Sequence, residues 1–235
     1  MAVAITERGR RAKNEDAVLC MELPGFTLLA VADGLGGHAR GEVASRIAIE
    51  NLRHMAEEGV AEAEEFFKKV FEKTNRDIKD VAQDIRAEGM ATTLTAAVVD
   101  GFGRCTIANL GDSRAYIIAR GRIKLKTKDH SYVQELVDKG AISESEAFSH
   151  PMKNILTKAL GLEDEATPDF YSARLEEGDV LLLSTDGLYD YVREEETVEI
   201  VSKAEGEEEI ARALIEKALR VSQDNVSVAV LRWRG

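Results

Sequence analysis

Two apolar runs in this chain end in the same dipeptide. Leu28-Leu29-Ala30-Val31-Ala32 leads into Asp33-Gly34, and Val180-Leu181-Leu182-Leu183-Ser184-Thr185 leads into Asp186-Gly187. An apolar run of that length reads as a buried strand. Each strand therefore carries a carboxylate to the edge of a core, followed by a residue that permits a turn or a close approach. A charge in that position is costly unless a cation receives it.

Further acids stand beside strand-like runs: Asp16 in Arg11-Ala12-Lys13-Asn14-Glu15-Asp16, Asp112 in Gly111-Asp112-Ser113-Arg114, Asp190 after Asp186, and Asp224 in Gln223-Asp224-Asn225. An oxygen-only donor set suits Mg²⁺ or Mn²⁺ rather than zinc or copper. Two such ions ~3.5–4 Å apart lower the pKa of a shared water toward ~7. Taken singly the segments are weak signals. An Asp-Gly is more often a turn than a ligand, Gly-Asp-Ser-Arg could be a turn with a surface ion pair, and Gly36-Gly37 could open a helix or admit a phosphate to the backbone. The weight lies in the joint pattern.

The elements that must position these acids follow from periodicity. Strands are expected over residues 17–22, 26–33, 92–99, 105–109, 114–119, 123–127, 167–175, 179–185 and 226–233, with Pro24-Gly25, Gly101 to Gly103 and Arg120-Gly121 as turns. Helices are expected over 42–57, 61–87, 194–203 and 207–221, and a polar, helix-capable segment over 131–148. Helices come in pairs between groups of strands joined by short connections. That order argues for α+β with antiparallel sheets, two of them stacked with helices outside. No linker, repeat or low-complexity tract divides the chain, so residues 1–235 read as one domain.

Composition sets the outer bounds. The 235 residues are 44% hydrophobic and 31% charged, as in an ordinary globular protein. The net charge of −12 disfavours nucleic-acid backbones and anionic membranes. It also repels a phosphate ester, so local cations must attract one. The two cysteines, Cys20 and Cys105, read as small buried residues in a reducing compartment. No apolar stretch approaches a membrane span and the first residues lack a signal-peptide h-region, so the expected location is cytoplasmic. Ser113 and Ser184 have no base arranged beside them, which argues against a serine nucleophile.

The motifs together resemble the metal-dependent protein serine/threonine phosphatases (the PPM, or type 2C, family), its bacterial-type branch most closely. They keep order along nearly the whole chain: Arg-x-x-Asn-Glu-Asp-Ala at 11–17, Val-Ala-Asp-Gly-Leu-Gly-Gly-His at 31–38, Ala-Thr-Thr-Leu at 91–94, Ala-Asn-Leu-Gly-Asp-Ser-Arg-Ala-Tyr at 108–116, Thr-Lys-Asp-His-Ser at 127–131, Asn-Ile-Leu-Thr-Lys-Ala-Leu-Gly at 154–161, Leu-Leu-Ser-Thr-Asp-Gly-Leu-Tyr-Asp at 182–190 and Gln-Asp-Asn-Val-Ser-Val at 223–228.

The resemblance implies a four-layer α-β-β-α sandwich, two mainly antiparallel sheets flanked by helix pairs, with metals at one end. It implies hydrolysis of phosphoserine and phosphothreonine in proteins by a metal-bridging hydroxide, with two central Mn²⁺ or Mg²⁺ ions and room for a third. Asp33 would bridge the central ions, Asp186 and Asp224 would ligate the first, and the Gly34 carbonyl would reach the second. Glu15 and Asp16 would hold metal-bound waters, and Arg11 would grip the phosphate with its planar fork. Asp112 and Asp190, with Asp186, match a third, weaker site.

Many eukaryotic members of the family place a His directly after Asp-Gly, where this chain has Leu35; the bacterial-type branch usually lacks that His too. His38 could then donate the leaving-group proton or cap the following helix; capping is the stronger reading, and a metal-bound water is the rival acid. His130 and His150 bound the region that forms a flap in the family, near residues 131–155, and both read as loop packing. The partners implied are phosphoproteins, opposite a serine/threonine kinase, met by a monomer. The alternatives are a phosphatase for one regulator or for small phosphoesters, and a catalytically weak regulatory module of the same fold.

Overall fold

A computed structural model describes residues 1–35 and 40–235. Eleven strands are described, in two antiparallel sheets. The first sheet orders β1 (Val3–Glu7), β11 (Val226–Arg232), β10 (Val180–Ser184), β7 (Arg114–Ala119) and β8 (Arg122–Lys126). The second orders β2 (Asp16–Leu23), β3 (Phe26–Leu35), β5 (Leu94–Asp100), β6 (Arg104–Leu110) and β9 (Asp169–Arg174), with β4 (Ala91–Thr92) pairing the end of β3.

Side-chain alternation along two strands explains the layers. In β3, Leu28, Ala30 and Ala32 face one way, onto α1 (Gly41–Glu57) and α2 (Ala63–Ile85). Leu29 and Val31 face the other way, where they meet Leu181, Leu183 and Ala229 of the opposite sheet. In β10, Val180 and Leu182 point away from that seam, onto α6 (Glu194–Lys203) and α7 (Glu207–Leu219). Both strands are apolar on both faces because a helix pair covers one face and a second sheet the other. Three apolar cores thus separate four layers, the expected α-β-β-α sandwich.

Several local expectations are corrected. β1 lies where no element was expected from the sequence. It is a five-residue edge strand, mostly half-buried, and pairs β11 from Val3↔Val230 to Glu7↔Val226. The strand expected over 92–99 is broken at Thr93 into β4 and β5. The polar segment after residue 131 forms two short helices, α3 (Tyr132–Asp138) and α4 (Glu144–Phe148), the second opened by a Ser143–Glu146 capping box. Directly after β10 a single turn of helix, α5 (Asp186–Tyr189), was not foreseen; four residues carry no helical period to read.

Candidate active site

The acids meet at one end of the sandwich, and each arrives from a strand end. Asp16 opens β2 and stands in register with Asp33 near the end of β3. Asp186 opens α5 immediately beyond β10, and Asp224 lies just before β11. Two acids therefore come from each sheet. The seam between them is stitched by Asp16, whose Oδ2 accepts from Thr185 Oγ1 at 2.9 Å and from Ser227 Oγ at 2.6 Å. Thr93 fixes Asp33: its Oγ1 accepts from the Asp33 N–H at 2.9 Å, and its own N–H donates to the Asp33 carbonyl at 2.9 Å.

Both Asp-Gly glycines are explained by close backbone packing. A Cβ on Gly34 would stand 2.2 Å from the Gly41 carbonyl oxygen, at the first residue of α1. A Cβ on Gly187 would stand 1.8 Å from the Asn225 carbonyl oxygen. Gly34 was expected to lack a side chain so that its carbonyl could reach an ion. Its packing against α1 and the Glu15 carbonyl already requires glycine.

Burial, with crowding added to it, sets the electrostatics. Burial first, then the charges of Asp16, Asp186 and Asp112, push the Asp33 carboxyl well above the ordinary carboxylate range. Asp186 is raised likewise, by burial and then by Asp112, Asp224 and Asp190. Burial lifts Asp16 to about 6 against its two hydroxyl donors. It lifts Asp112 to about 7, with Asp129 adding to the effect. Glu15 is also raised, by burial and then by Glu42.

Two of the acids are held by protein cations. Arg11 donates Nε and Nη2 to Asp224 at 2.8 and 2.6 Å. Lys153 donates to Asp190 at 2.5 Å, and that contact opposes the rise that burial causes there. Among the described residues, no three His, Cys, Asp or Glu side chains already form a metal cage. The donor chemistry nevertheless fits hard divalent cations. The side chains are all oxygen donors, and they raise one another's proton affinity, which a cation among them would relieve.

The loop carrying Arg11 and Glu15 is tied down by Asn225, a residue given no role from sequence. Its Oδ1 accepts from the Glu15 N–H at 2.8 Å, and its Nδ2 donates to the carbonyls of Arg8 and Lys13 at 2.8 and 2.9 Å. Its signal was present, since Asn225 sits inside the Gln-Asp-Asn-Val motif, but spacing says nothing about a partner some 210 residues away. Lys153, Thr185 and Ser227 were missed for the same reason.

The surface-pair reading of Gly-Asp-Ser-Arg is corrected. Arg114 is partly buried and forks onto Asp129 at 2.8 and 2.7 Å. Ser113 shares a 2.7 Å hydrogen bond with Thr93, a structural contact and not that of a nucleophile. His130 is a packed loop residue: its Nδ1 accepts from the Gly111 N–H at 3.1 Å, and its Nε2 lies 3.3 Å from Asp169. His150 Nδ1 accepts from the Met152 N–H at 3.2 Å. Both cysteines are free, and burial pushes the Cys105 thiol up to about 12, so it is inert. His38 and the Gly36-Gly37 pair lie outside the described residues.

Known proteins are similar to this chain in sequence and fold. The protein phosphatase 2C family pattern matches residues 6–220. The serine/threonine phosphatase stp of Listeria monocytogenes is 37% identical over 235 residues, covering 96% of this chain and 93% of that protein. The crystal structure of serine/threonine phosphatase Stp1 from Staphylococcus aureus superposes with a TM-score of 0.94 at 38% identity, covering 100% of this chain and 95% of that one. The catalytic domain of the serine/threonine protein phosphatase PstP, solved with two manganese ions, superposes with a TM-score of 0.88 at 36% identity, covering 100% of this chain and 98% of that one. A sandwich whose strand ends gather carboxylates from both sheets, matched along almost its full length, places this chain in the protein phosphatase 2C family.

Proposed function

We propose that this chain hydrolyses phosphoserine and phosphothreonine in proteins, using two Mn²⁺ or Mg²⁺ ions held at the sheet ends. The observation that carries the reading is the meeting of Asp16 and Asp33 from one sheet with Asp186 and Asp224 from the other, where burial and then neighbouring charge raise the proton affinity of Asp16, Asp33 and Asp186. Asp33, Asp186, Asp224 and the Gly34 carbonyl would hold the two ions, and Asp112 and Asp190 with Asp186 a weaker third. When bound, such ions supply an activated water and neutralise charge on the phosphoryl group.

The chain's own residues do the rest. Arg11, whose fork matches phosphate oxygens bidentately, lies 2.6 Å from Asp224 and would orient the phosphate in line with the attacking oxygen. It gives the local positive charge that a surface of net −12 lacks. Glu15 and Asp16 would orient water by accepting hydrogen bonds from it. The N-cap of α1 is Arg40, which corrects the capping reading of His38 and leaves it as a candidate donor of the leaving-group proton.

In this reading residues 1–235 act as one catalytic domain, with 131–155 as a flap beside the site. The chain works as a cytoplasmic monomer in signalling, opposite a serine/threonine kinase. Among the described residues no helix is long and apolar enough to cross a membrane.

Assays on a phosphothreonine peptide, a phosphotyrosine peptide and p-nitrophenyl phosphate, each with Mn²⁺ and with EDTA, test the reading. Turnover of the phosphothreonine peptide that needs Mn²⁺ and stops in EDTA is expected. Activity that survives EDTA would sink the mechanism, and turnover of p-nitrophenyl phosphate alone would shift the substrate to small phosphoesters.

A further inference from the structure

Beside the carboxylates lies a cleft of about 380 Å³ whose wall includes Asp112, Asp129, Asp186, Asp190 and Arg114. It contains an arrangement that the proposed chemistry does not use. Arg114, the first residue of β7, grips both oxygens of Asp129, and its guanidinium carbon stands 3.7 Å from the centre of the Tyr189 ring. The Tyr189 hydroxyl donates to the Asp112 carbonyl at 3.0 Å. Tyr189 is the last residue of α5, which begins at Asp186 and is capped by Asp190.

A single helical turn does not hold itself in place. The placement of α5 comes from what it packs on. On one side Gly187 abuts the Asn225 carbonyl. On the other, the Tyr189 ring packs against the Arg114 guanidinium. The stack needs a planar cation with two parallel donors engaged elsewhere, which a lysine does not supply.

We propose that Arg114 is a positioning residue of the active site. Fixed by Asp129 and stacked on Tyr189, it sets the stance of α5 and hence the spacing of Asp186 and Asp190 from Asp112. This rests on the reading that those carboxylates hold divalent ions. The Arg114 guanidinium is engaged by Asp129 and Tyr189, and it acts through the helix.

The test compares the wild-type chain with Arg114→Lys, Tyr189→Leu and the double variant. Mn²⁺ binding is followed by calorimetry beside kinetics on a phosphothreonine peptide. Each single variant is expected to bind Mn²⁺ about 10–100-fold more weakly. Each should lower kcat with little change in peptide KM, and recover kcat as Mn²⁺ is raised, a rescue that general loss of stability would not give. The double variant should fall well short of the product of the two single effects, because both singles lose the Arg114–Tyr189 contact. Asp129→Asn, which keeps the shape and loosens the fork, should show the same weakening if Arg114→Lys does not fold.

A wild-type Mn²⁺ isotherm in folded Arg114→Lys or Asp129→Asn overturns the proposal, as do effects of Arg114→Lys and Tyr189→Leu that simply multiply. A wild-type chain that binds no Mn²⁺ overturns the function reading and this proposal together.

Discussion

Asp16 and Asp33 stand opposite one another across the β2–β3 ladder, two carboxyl groups in register on neighbouring strands. Burial and then the charge of Asp16 raise the Asp33 carboxyl, while a hydrogen bond with Asp33 offsets part of the rise that burial causes at Asp16. Asp33→Asn removes one charge from that cluster. In EDTA the variant is expected to be more stable than the wild-type chain, by on the order of 1 kcal/mol for each pKa unit of crowding relieved. In Mn²⁺ it should lose more than the ~10–100-fold affinity that an outer partner costs, and turnover with it. Denaturant melts with and without Mn²⁺, beside peptide kinetics, check both halves. Full turnover in Asp33→Asn would remove that residue from the mechanism.

The same crowding fixes how the metal-free protein responds to pH. A carboxyl whose pKa is higher folded than unfolded binds more protons in the folded state. Its contribution to stability is complete below the ordinary value of roughly 4 and is lost as pH rises through the folded value. With Asp16 at about 6 and Asp112 at about 7, stability in EDTA should fall as pH climbs from roughly 4 to 7. Exposed acids such as Asp138 and Glu146 are shifted down and act in the opposite sense at lower pH, so they do not mask the decline. Urea midpoints measured across that range should show the slope in EDTA and lose it in Mn²⁺. A midpoint that rises with pH in EDTA would contradict the electrostatics of the cluster.

Asn225→Ala removes three hydrogen bonds, to the Glu15 N–H and to the carbonyls of Arg8 and Lys13. The cost should be about 2–4 kcal/mol, since each bond contributes roughly 1 and the loop carbonyls are left without a donor. A second effect should fall on Arg11, which sits on that loop. Inhibition by inorganic phosphate should weaken about tenfold or more (~1.4 kcal/mol). Phosphate inhibition and Tm measured on one preparation separate the two effects.

Gly187→Ala places a methyl group where the Asn225 carbonyl oxygen already stands. Backbone blocks it on that side, so a rotamer change gives no relief. A loss of ~3 kcal/mol or more is expected from overpacking. Gly178→Ala is a useful contrast: no heavy atom lies within 4 Å of the added Cβ, and only its positive φ of 89° resists the change. Equal Tm losses in the two variants would contradict the packing argument.

Much of this was legible in the sequence because strand ends announce themselves. Asp33 and Asp186 each close an apolar run, and the alternation within those runs encodes two covered faces. Periodicity also placed α1, α2, α6 and α7 within a few residues. What the sequence hid was local in structure but distant in chain. β1 is too short and too evenly half-buried to show a pattern, and α5 is shorter than a helical period can reveal. Asn225, Lys153 and Arg114 act on partners that only the folded topology brings near. Gly34 shows a subtler limit: its type was legible, yet the reason for it lies seven residues on, at Gly41.

The stitching of Asp16 to Thr185 and Ser227 ties the mouth of one sheet to the mouth of the other. Ions shared by Asp33 and Asp186 would span that same seam. The gap between the sheets then serves as a gauge: any load that wedges the sandwich apart does work against ion affinity. A ligand gripping the remote helices would be felt at the catalytic end as a change in how tightly the metals are retained.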